Sequence, residues 1–330
     1  MSGLDTNALL GVLADGAWHS GEALARRFGV SRAAVWKRLQ QLEALPGVEV
    51  ERVSGRGYRL REPFELLDER LIREQLQPEV AERLHALELV EQTDSTNSHV
   101  RRHLPPTLHA GSAVFAEHQT AGRGRRGRRW VSVFGRNLCL SLAWRFDLPL
   151  SALAGLSLVA GVALARVLEQ AGLEGHCLKW PNDLLVGGRK LAGILVEASG
   201  EAAGPCVAVI GVGVNLHLEE ANAGEIDQPW TDLRAHLPDP PGRNRLAGSL
   251  LDELARSCLR YQQEGLVPFL DAWRARDGFR GKAVELHTAN GRFFGVCQGV
   301  DEGGGLLLEQ EGELRLFHAG EVSLRGREDG

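Results

Sequence analysis

The sequence has little cysteine and no long apolar run. Its five cysteines are scattered through 330 residues and form no CxxC pair. This odd number excludes a disulfide framework, and the spacing fits no zinc site, so we expect buried free thiols. The longest apolar candidate, Ala152 to Leu168, carries Arg166 and falls short of the roughly 18 uninterrupted residues of a membrane span. A basic leader is also missing at the start, so we expect a cytoplasmic protein without membrane contact.

Low charge imbalance and high apolar content exclude wholesale disorder. Apolar residues make up 43% of the chain, charged residues make up 25%, and the net charge is -5. This charge is unevenly distributed, since residues 1–62 carry +2 and residues 119–146 hold seven arginines and no acid. One concentrated basic segment favours a local anionic ligand over a surface coated by nucleic acid. A solvated charged loop is the alternative.

The first 62 residues read as a helix-turn-helix unit followed by a hairpin. Helices are predicted from Thr6 to Ala14, from Glu22 to Phe28 after an N-cap at Ser20, and from Arg32 to about Leu45 after an N-cap at Ser31. A short turn containing Gly29 joins the last two. Residues 48–60 alternate as a hairpin with its tip at residues 54–57, which resembles a wing beside a recognition helix.

The outward face of this unit carries groups suited to phosphates and base edges. We expect DNA contacts from Ser20, Ser31, Arg32, Trp36, Lys37, Arg38 and Arg56. A small helical dimerisation or docking domain with a solvated basic face remains the alternative interpretation.

Two further units follow. Strands alternate with helices between residues 67 and 278, which indicates an α/β domain around one mixed sheet. Its clearest helix is predicted from Ser151 to Gln170. From residue 279 onward, four or five short strands with Asn-Gly and Glu-Gly turns indicate a small β-barrel.

The segment GRGRRGRRW, residues 122–130, is the most informative motif. It contains a formal GxGxxG, but arginines surround the glycines and no apolar helix follows, so a dinucleotide-binding turn is rejected. Glycine-rich backbone can fold its N–H groups around an anion, and arginine forks bind carboxylate or phosphate. The segment therefore predicts an anion-binding loop.

Four other segments carry polar groups at strand or helix ends. They are DSTN (94–97), KWPND (179–183), RKLAGI (189–194) and GVGVN (211–215). KWPND offers a cation, an amide and a carboxylate suited to a nucleotide with Mg²⁺, although a capped turn with a packed tryptophan explains it equally. DSTN taken alone fits simple helix capping.

In this order, DSTN, EHQTAGRGRRGRRW, KWPNDLL, RKLAGILVE and GVGVN resemble the biotin protein ligase family across residues 85–220. HSGEALARRFGVSRAAVWKRLQQL, with SGRGY, resembles the amino-terminal domain of the bifunctional bacterial members, which also repress biotin-synthesis genes. The resemblance implies three domains: a winged helix-turn-helix (1–62), a class II synthetase-like mixed α/β ligase domain (67–278) and an SH3-like β-barrel (279–330). Residues 219–241 match no motif, and we expect a variable surface loop there.

The resemblance also implies a two-step reaction. Biotin and ATP, with Mg²⁺, give biotinyl-5′-adenylate, and a lysine of the biotin carboxyl carrier protein of acetyl-CoA carboxylase then takes the biotinyl group. The adenylate would act as corepressor of a homodimer that binds operator DNA. A ligase without a repressor role and a biotin sensor without catalysis are the alternatives, whereas lipoate ligases lack the GRGRRGR pattern.

Carried onto this sequence, the resemblance assigns each motif a role. Catalysis falls to Arg125 and Lys190. The biotin-binding residues are Ser95, Thr96, Asn97, Gln119, Arg123, Gly124, Arg125 and Lys190. The ATP-binding residues are Arg123, Arg126, Arg128, Trp130, Lys179, Asn182, Asp183 and Asn215. No metal ligand is assigned.

Overall fold

The computed structural model describes residues 4–103, 111–200, 204–219, 224 and 226–324. Their helices and strands form three units along the chain, built on sheets of two, seven and five strands. This arrangement is the fold class expected from the sequence. All five cysteines are free thiols, as predicted, and four are buried as expected, whereas Cys177 is half-buried.

Three helices and a hairpin form the first unit. They are α1 (Thr6–Leu13), α2 (Gly21–Phe28), α3 (Arg32–Leu42), β1 (Val50–Val53) and β2 (Gly57–Leu60). Both predicted N-caps are confirmed, because the Ser20 and Ser31 hydroxyls each accept a backbone N–H at 3.1 Å. Helix α3 ends at Leu42 rather than near Leu45, because the backbone N–H groups of Ala44 and Leu45 bond three residues back in a tighter turn.

The hairpin is fixed to the loop between α1 and α2. His19 and Tyr58 exchange two backbone hydrogen bonds, of 2.8 and 2.9 Å. Gly57 has a φ of +108°, and a Cβ there would lie 2.1 Å from the carbonyl oxygen of His19, so this position requires glycine. The two-stranded ribbon is therefore a wing anchored to the helices.

The second unit surrounds a seven-stranded sheet. Its elements are α4 (Glu69–Arg73), α5 (Pro78–Arg83), β3 (Leu84–Thr93), α6 (Thr96–His103), β4 (Gly111–Gln119), β5 (Asn137–Phe146), α7 (Leu156–Gln170), β6 (His176–Lys179), β7 (Asp183–Val186), β8 (Arg189–Gly200), β9 (Cys206–Asn215), α8 (Arg243–Glu264) and α9 (Val267–Arg274). The strand order is β3-β4-β5-β9-β8-β7-β6, and only β3 and β4 pair in parallel. The mixed sheet expected from the sequence is therefore present.

Helix α7 is the central helix of the core. It begins at Leu156 rather than at Ser151, because a 3₁₀ turn occupies Leu150–Leu153 first. The segment Leu150–Gln170 has the length and hydropathy of a membrane span, but 67% of its most apolar window is buried inside the protein. Its apolar character is thus explained by packing against the sheet and α8.

The third unit is an antiparallel sheet of five strands, as a small SH3-like barrel requires. The strands are β10 (Ala283–Thr288), β11 (Gly291–Val300), β12 (Leu306–Gln310), β13 (Glu313–Phe317) and β14 (Glu321–Leu324). Their order is β13-β12-β11-β10-β14. Its inner residues join the same hydrophobic core as the second unit, so the two units pack as one body.

A short segment of the second unit completes the core of the first. Phe134, fully buried, packs in the cluster formed by the N-terminal helices, and its ring meets Phe64 edge to face at 5.9 Å. Its backbone N–H donates to the carbonyl of Pro46 at 3.0 Å. Arg136 donates to the carbonyls of Glu62 and Pro63 at 3.0 and 3.3 Å. The winged unit is therefore packed against the second unit rather than joined to it only by a linker.

Candidate active site

One pocket gathers most of the predicted site residues. It lies on the central sheet and is closed on one side by the glycine-rich loop and the start of β14. Its lining includes Ser95, Thr96, Asn97, Gln119, Arg123, Gly124, Arg125, Arg126, Arg128, Trp130, Asn182, Asp183 and Lys190. Two predicted ligand-binding residues lie outside this lining. Lys179 pairs with Asp183, and Asn215 lines a smaller adjoining cavity.

A buried polar network forms one end of the pocket. The backbone N–H of Thr96, at the start of α6, donates to Gln119 Oε1 at 2.7 Å. The Ser141 hydroxyl lies 2.7 Å from Thr96 Oγ1 and 2.6 Å from Asn97 Oδ1. These side chains are buried and held in fixed orientations, so they can recognise a neutral polar head group. Ser141 is a site residue that the motifs did not identify.

The glycines of β9 make room for two pocket side chains. A Cβ on Gly211 would lie 2.2 Å from Asn97 Oδ1, and a Cβ on Gly213 would lie 2.5 Å from the Trp130 ring. Larger residues would displace Asn97 or Trp130. The GVGV pattern thus permits close approach of side chains to the sheet, which is the usual role of strand glycines near a site.

The glycine-rich loop is folded over the pocket mouth. Trp130 N–H donates to the carbonyl of Gly122 at 2.9 Å, and Gly124 N–H donates to the carbonyl of Arg128 at 2.7 Å. Between them, Arg126 has a left-handed backbone with φ of 54°, which is uncommon for a side chain other than glycine. Strained backbone of this kind occurs at ligand-binding loops.

Two loop arginines contact the third unit. Arg128 forms a 2.5 Å ion pair with Glu321, and Arg125 donates to the carbonyl of Gly320 at 3.3 Å. Burial lowers the pKa of the Arg125 guanidinium, as does neighbouring Arg126, while Asp183 and Glu321 oppose the shift. A partly desolvated cation gains most from an anionic ligand. Gly320 and Glu321 both line the pocket, and neither is among the predicted site residues.

A lysine pair surrounds one buried carboxylate. Lys190 Nζ lies 2.7 Å from Asp183 Oδ1, and Lys179 Nζ lies 3.4 Å from Asp183 Oδ2. Asp183 is only 6% exposed. Burying this carboxylate requires charge partners, which both lysines supply. Lys179 therefore holds Asp183 from behind, and Lys190 faces the pocket.

The two asparagines predicted to bind ATP have internal partners. Asn182 Nδ2 donates to the carbonyl of Ile194 at 2.7 Å, and Asn215 Nδ2 donates to the carbonyl of Thr231 at 3.0 Å. Asn215 lines a smaller adjoining cavity together with Trp130 and Lys190. Both side-chain amides therefore donate to backbone carbonyls in the walls of the site.

The described residues of the expected surface loop, within 219–241, form no helix or strand and several are exposed, but residues 228–231 also reach the site. Gln228 lines the main pocket, and Trp230 lines the adjoining cavity. Lys190 N–H donates to the carbonyl of Pro229 at 2.9 Å, and Thr231 N–H donates to the carbonyl of Lys190 at 2.9 Å. This backbone pairing beside β8 makes the segment a wall of the site.

The expected DNA-binding face is mostly exposed. Trp36 is 49% exposed on α3, and Arg32, Lys37 and Arg56 are also exposed. Arg38 differs, because it is half-buried and donates to Thr6 Oγ1 at 3.1 Å. The N-cap serines use their hydroxyl oxygens within the helices, as noted above. The face therefore combines free cations with an exposed aromatic ring.

No group of three His, Cys, Asp or Glu side chains suited to a metal ion occurs among the described residues. Asp183 is the carboxylate nearest the lysine pair in the pocket. A Mg²⁺ ion usually keeps several waters and needs only one or two protein carboxylates when phosphates bind it. Both oxygens of Asp183 are paired with the lysines, so the site fits magnesium that enters bound to the phosphates of a nucleotide.

Comparison with known proteins identifies each unit. Residues 6–59 match an HTH domain, residues 89–215 match the biotin/lipoate A/B protein ligase family, and residues 279–325 match the C-terminal domain of biotin protein ligases. The chain is 42% identical to the bifunctional ligase/repressor BirA of Salmonella typhimurium over 320 residues, with 97% of each chain covered. The Escherichia coli protein of the same name is 41% identical over 320 residues, again with 97% of each chain covered.

A solved structure agrees with these matches. The biotin protein ligase of Aquifex aeolicus, in complex with biotin and ATP, superposes with a TM-score of 0.60 at 25% identity. The match covers 73% of this chain and 99% of that one. By its sequence and by the order of its three units, this chain belongs to the biotin protein ligase family, in its bifunctional ligase/repressor form.

Proposed function

We propose that this pocket activates biotin with ATP and that the same chain uses the product to repress biotin-synthesis genes. One observation carries the catalytic part: a polar network, five arginines and Lys190 line one pocket beside Trp130. This combination suits a ligand with a neutral polar head, a carboxylate and a nucleotide. The winged unit with its exposed basic face supports the regulatory part.

In the first step, a biotin carboxylate oxygen attacks the α-phosphorus of ATP, and pyrophosphate leaves. In the second, the ε-amino group of a carrier lysine attacks the acyl carbon of the mixed anhydride, an amide bond forms and AMP leaves. Two anions must meet in the first step, so their repulsion opposes it. Cations fixed at the meeting point offset this repulsion and stabilise the charge that develops at phosphorus.

The geometry supports different roles for different groups of pocket residues. The buried network at Thr96, Asn97 and Gln119, with Ser95 beside it, would hold the ureido head of biotin. Arg123, Arg125 and Lys190 would meet the carboxylate and the α-phosphate. Trp130 would lie at the adenine side, and the loop arginines would bind phosphates. We assign no residue of the described pocket lining as a covalent nucleophile, so the proposed rate acceleration rests on positioning and electrostatics.

We further propose that the acceptor is the biotin carboxyl carrier protein of acetyl-CoA carboxylase, since a relative from Paracoccus denitrificans, 35% identical, carries the name biotin acetyl-CoA-carboxylase ligase. Adenylate-dependent homodimerisation would place two winged units on two operator half-sites. Free thiols and the need for ATP and DNA support a cytoplasmic location.

Biotin-dependent release of pyrophosphate from ATP tests the catalytic proposal. The full chain with ATP and Mg²⁺ should release pyrophosphate only after biotin is added, and a carrier domain should then sustain turnover. Binding of biotin without pyrophosphate release would instead identify a sensor that lacks catalysis.

Arg125→Gly is expected to weaken retention of the adenylate. The variant removes a half-buried cation and the loop's hydrogen bond to Gly320, so the reactive anhydride should escape before transfer. We expect biotin to label unrelated proteins, measured by streptavidin blotting of added bystander protein. An Arg129→Gly variant, which changes another arginine of the same loop, should label fewer bystander proteins than Arg125→Gly does. If Arg125→Gly still labels only the carrier at the wild-type rate, the assigned role is wrong.

Lys37→Ala is expected to weaken operator binding and to reduce its salt dependence. Lys37 is exposed on α3, and loss of one phosphate contact lowers the slope of log affinity against log salt by about 1. Filter binding over a range of salt concentrations measures this slope. Arg70→Ala, an exposed cation of α4 that pairs with Glu74, is the control and should leave the slope unchanged.

A further inference from the structure

Ser141 lies fully buried on β5, behind the side chains that form the polar end of the pocket. Its hydroxyl oxygen is 2.7 Å from Thr96 Oγ1 and 2.6 Å from Asn97 Oδ1. Thr96 and Asn97 line the pocket, and Ser141 is not among the described lining residues. Ser141 can therefore act on a ligand only through its neighbours.

The orientation of the Asn97 amide follows from its other partners. Asn97 Nδ2 is 2.9 Å from a carboxylate oxygen of Glu197 and 3.3 Å from the carbonyl oxygen of Leu195. An ionised carboxylate and a carbonyl can only accept hydrogen bonds, so the NH₂ end of Asn97 must face them. The atom of Asn97 that faces Ser141 is therefore Oδ1, which can also only accept.

These contacts decide where the hydroxyl protons point. A hydroxyl has one proton, and that of Ser141 is directed to Asn97 Oδ1, so Ser141 Oγ faces Thr96 as an acceptor. The Thr96 proton has two internal acceptors, Ser141 Oγ at 2.7 Å and Gln119 Oε1 at 3.2 Å. Gln119 Oε1 already accepts the backbone N–H of Thr96 at 2.7 Å. With its proton used inside the protein, Thr96 Oγ1 offers a ligand only a lone pair.

We propose that Ser141 is a positioning residue that makes Thr96 Oγ1 an acceptor, so that the head group of the ligand must present an N–H to it. The inference rests on the proposed function and deepens it, because the cyclic urea of biotin carries two ring N–H groups. All donors of this chain point the same way, from the ligand at one end to the Glu197 carboxylate at the other. Hydrogen bonds aligned in this way strengthen one another inside a protein.

Biotin and two ring-oxygen analogues test the proposal. Each analogue is a cyclic carbamate in which oxygen replaces one of the two ring N–H groups of biotin. Isothermal titration of the full chain gives the affinity for each compound. We expect the wild type to bind the analogue whose oxygen faces Thr96 at least about 10²-fold more weakly than biotin, because two lone pairs meet in a buried site.

Ser141→Ala removes one acceptor of the Thr96 proton, which can then turn toward the ligand. Affinity for biotin should fall about tenfold, the scale of one lost buried hydrogen bond, while affinity for that analogue stays near its wild-type value. The ratio of the two affinities therefore falls about tenfold, and the ratio for the other analogue does not change. Ser141→Cys, whose sulfur is a weak acceptor, should shift the first ratio in the same direction and serves if Ser141→Ala does not fold.

Ser112→Ala is the matched control. Ser112 lies on the neighbouring strand β4 and is 3% exposed, and its hydroxyl has no hydrogen-bond partner among the described residues. Loss of this buried serine should leave both ratios at their wild-type values.

Ratios that stay at their wild-type values in Ser141→Ala and Ser141→Cys overturn the proposal, since a merely structural role lowers all three affinities together. A wild type that binds both analogues as tightly as biotin overturns it as well. Pyrophosphate release by the wild type is measured in parallel. If biotin is neither bound nor activated, the proposed function fails and this inference fails with it. If biotin is bound and pyrophosphate is released while the ratios do not move, only the role of Ser141 fails.

Discussion

Lys190→Ala is expected to slow formation of the adenylate by about 10² to 10³, the range for loss of one group that stabilises developing charge. Lys190 Nζ lies 2.7 Å from Asp183, and its side chain lines the pocket with Trp130 and Gly193, so its charge faces the site. Its side chain is only 16% exposed, so water cannot replace the missing cation well. Lys179 would still neutralise Asp183, which protects the fold.

Rapid-quench measurement of adenylate formation, beside a biotin titration, separates rate from affinity. We expect the rate to fall far more than biotin affinity. Arg189→Ala removes the neighbouring exposed cation and should leave both quantities near the wild-type values. If Lys190→Ala lowers biotin affinity but leaves the rate of adenylate formation at saturating biotin and ATP unchanged, its role is uniform binding rather than stabilisation of the transition state.

Phe134→Ala is expected to destabilise the winged unit by about 3 to 5 kcal/mol, the cost of deleting a fully buried aromatic ring. Phe134 belongs by sequence to the second unit but by packing to the core of the first, where it meets Phe64. The cavity would open between the two units. Because Trp130 lines the ligand pocket four residues earlier, we expect biotin affinity to fall as well.

Amide hydrogen exchange over residues 4–60, combined with urea unfolding, measures the effect. The protection of these residues should drop while that of α7 is retained. Leu314→Ala, at a side chain that is 57% exposed, removes apolar volume without a cavity and should change stability by less than about 0.5 kcal/mol. Unchanged protection in Phe134→Ala would mean that the two cores are independent.

The packing of Phe134 in the core of the first unit affects how a deletion of that unit should be interpreted. Deleting residues 1–62 would expose Phe134 and remove the carbonyl of Glu62, one of the two backbone acceptors of Arg136. A slow truncated ligase would therefore not prove that the winged unit takes part in chemistry. Comparison with Phe134→Ala in the full chain distinguishes a damaged junction from a missing domain.

Local patterns were enough to predict the motif-bearing half of the site. Capping serines, glycine spacing and clustered arginines act over a few residues, and the structure brings DSTN, the basic loop and RKLAG to one pocket. Helix starts such as that of α3 followed from Ser31 for the same reason. The start of α7 was misplaced because a 3₁₀ turn and an α-helix share the same apolar pattern over one turn.

The rest of the site depends on contacts between distant residues. Glu197 looks like any polar residue near a strand end, and only the fold shows that its Oε2 accepts hydrogen bonds from Asn97 and Arg123, each at 2.9 Å. Residues 226–231 lack a periodic pattern because they pair by backbone with Lys190, and backbone pairing leaves little trace in sequence. Phe134 could not be assigned to the winged unit from its position in the chain.

Operator binding measured with and without the ligands tests the central claim that one pocket serves both catalysis and repression. A mobility-shift titration would use the full chain and DNA from upstream of a biotin-synthesis gene. We expect tighter binding when biotin and ATP are both present than with either alone, and no such gain in Lys190→Ala. Equal affinity under all three ligand conditions would contradict it.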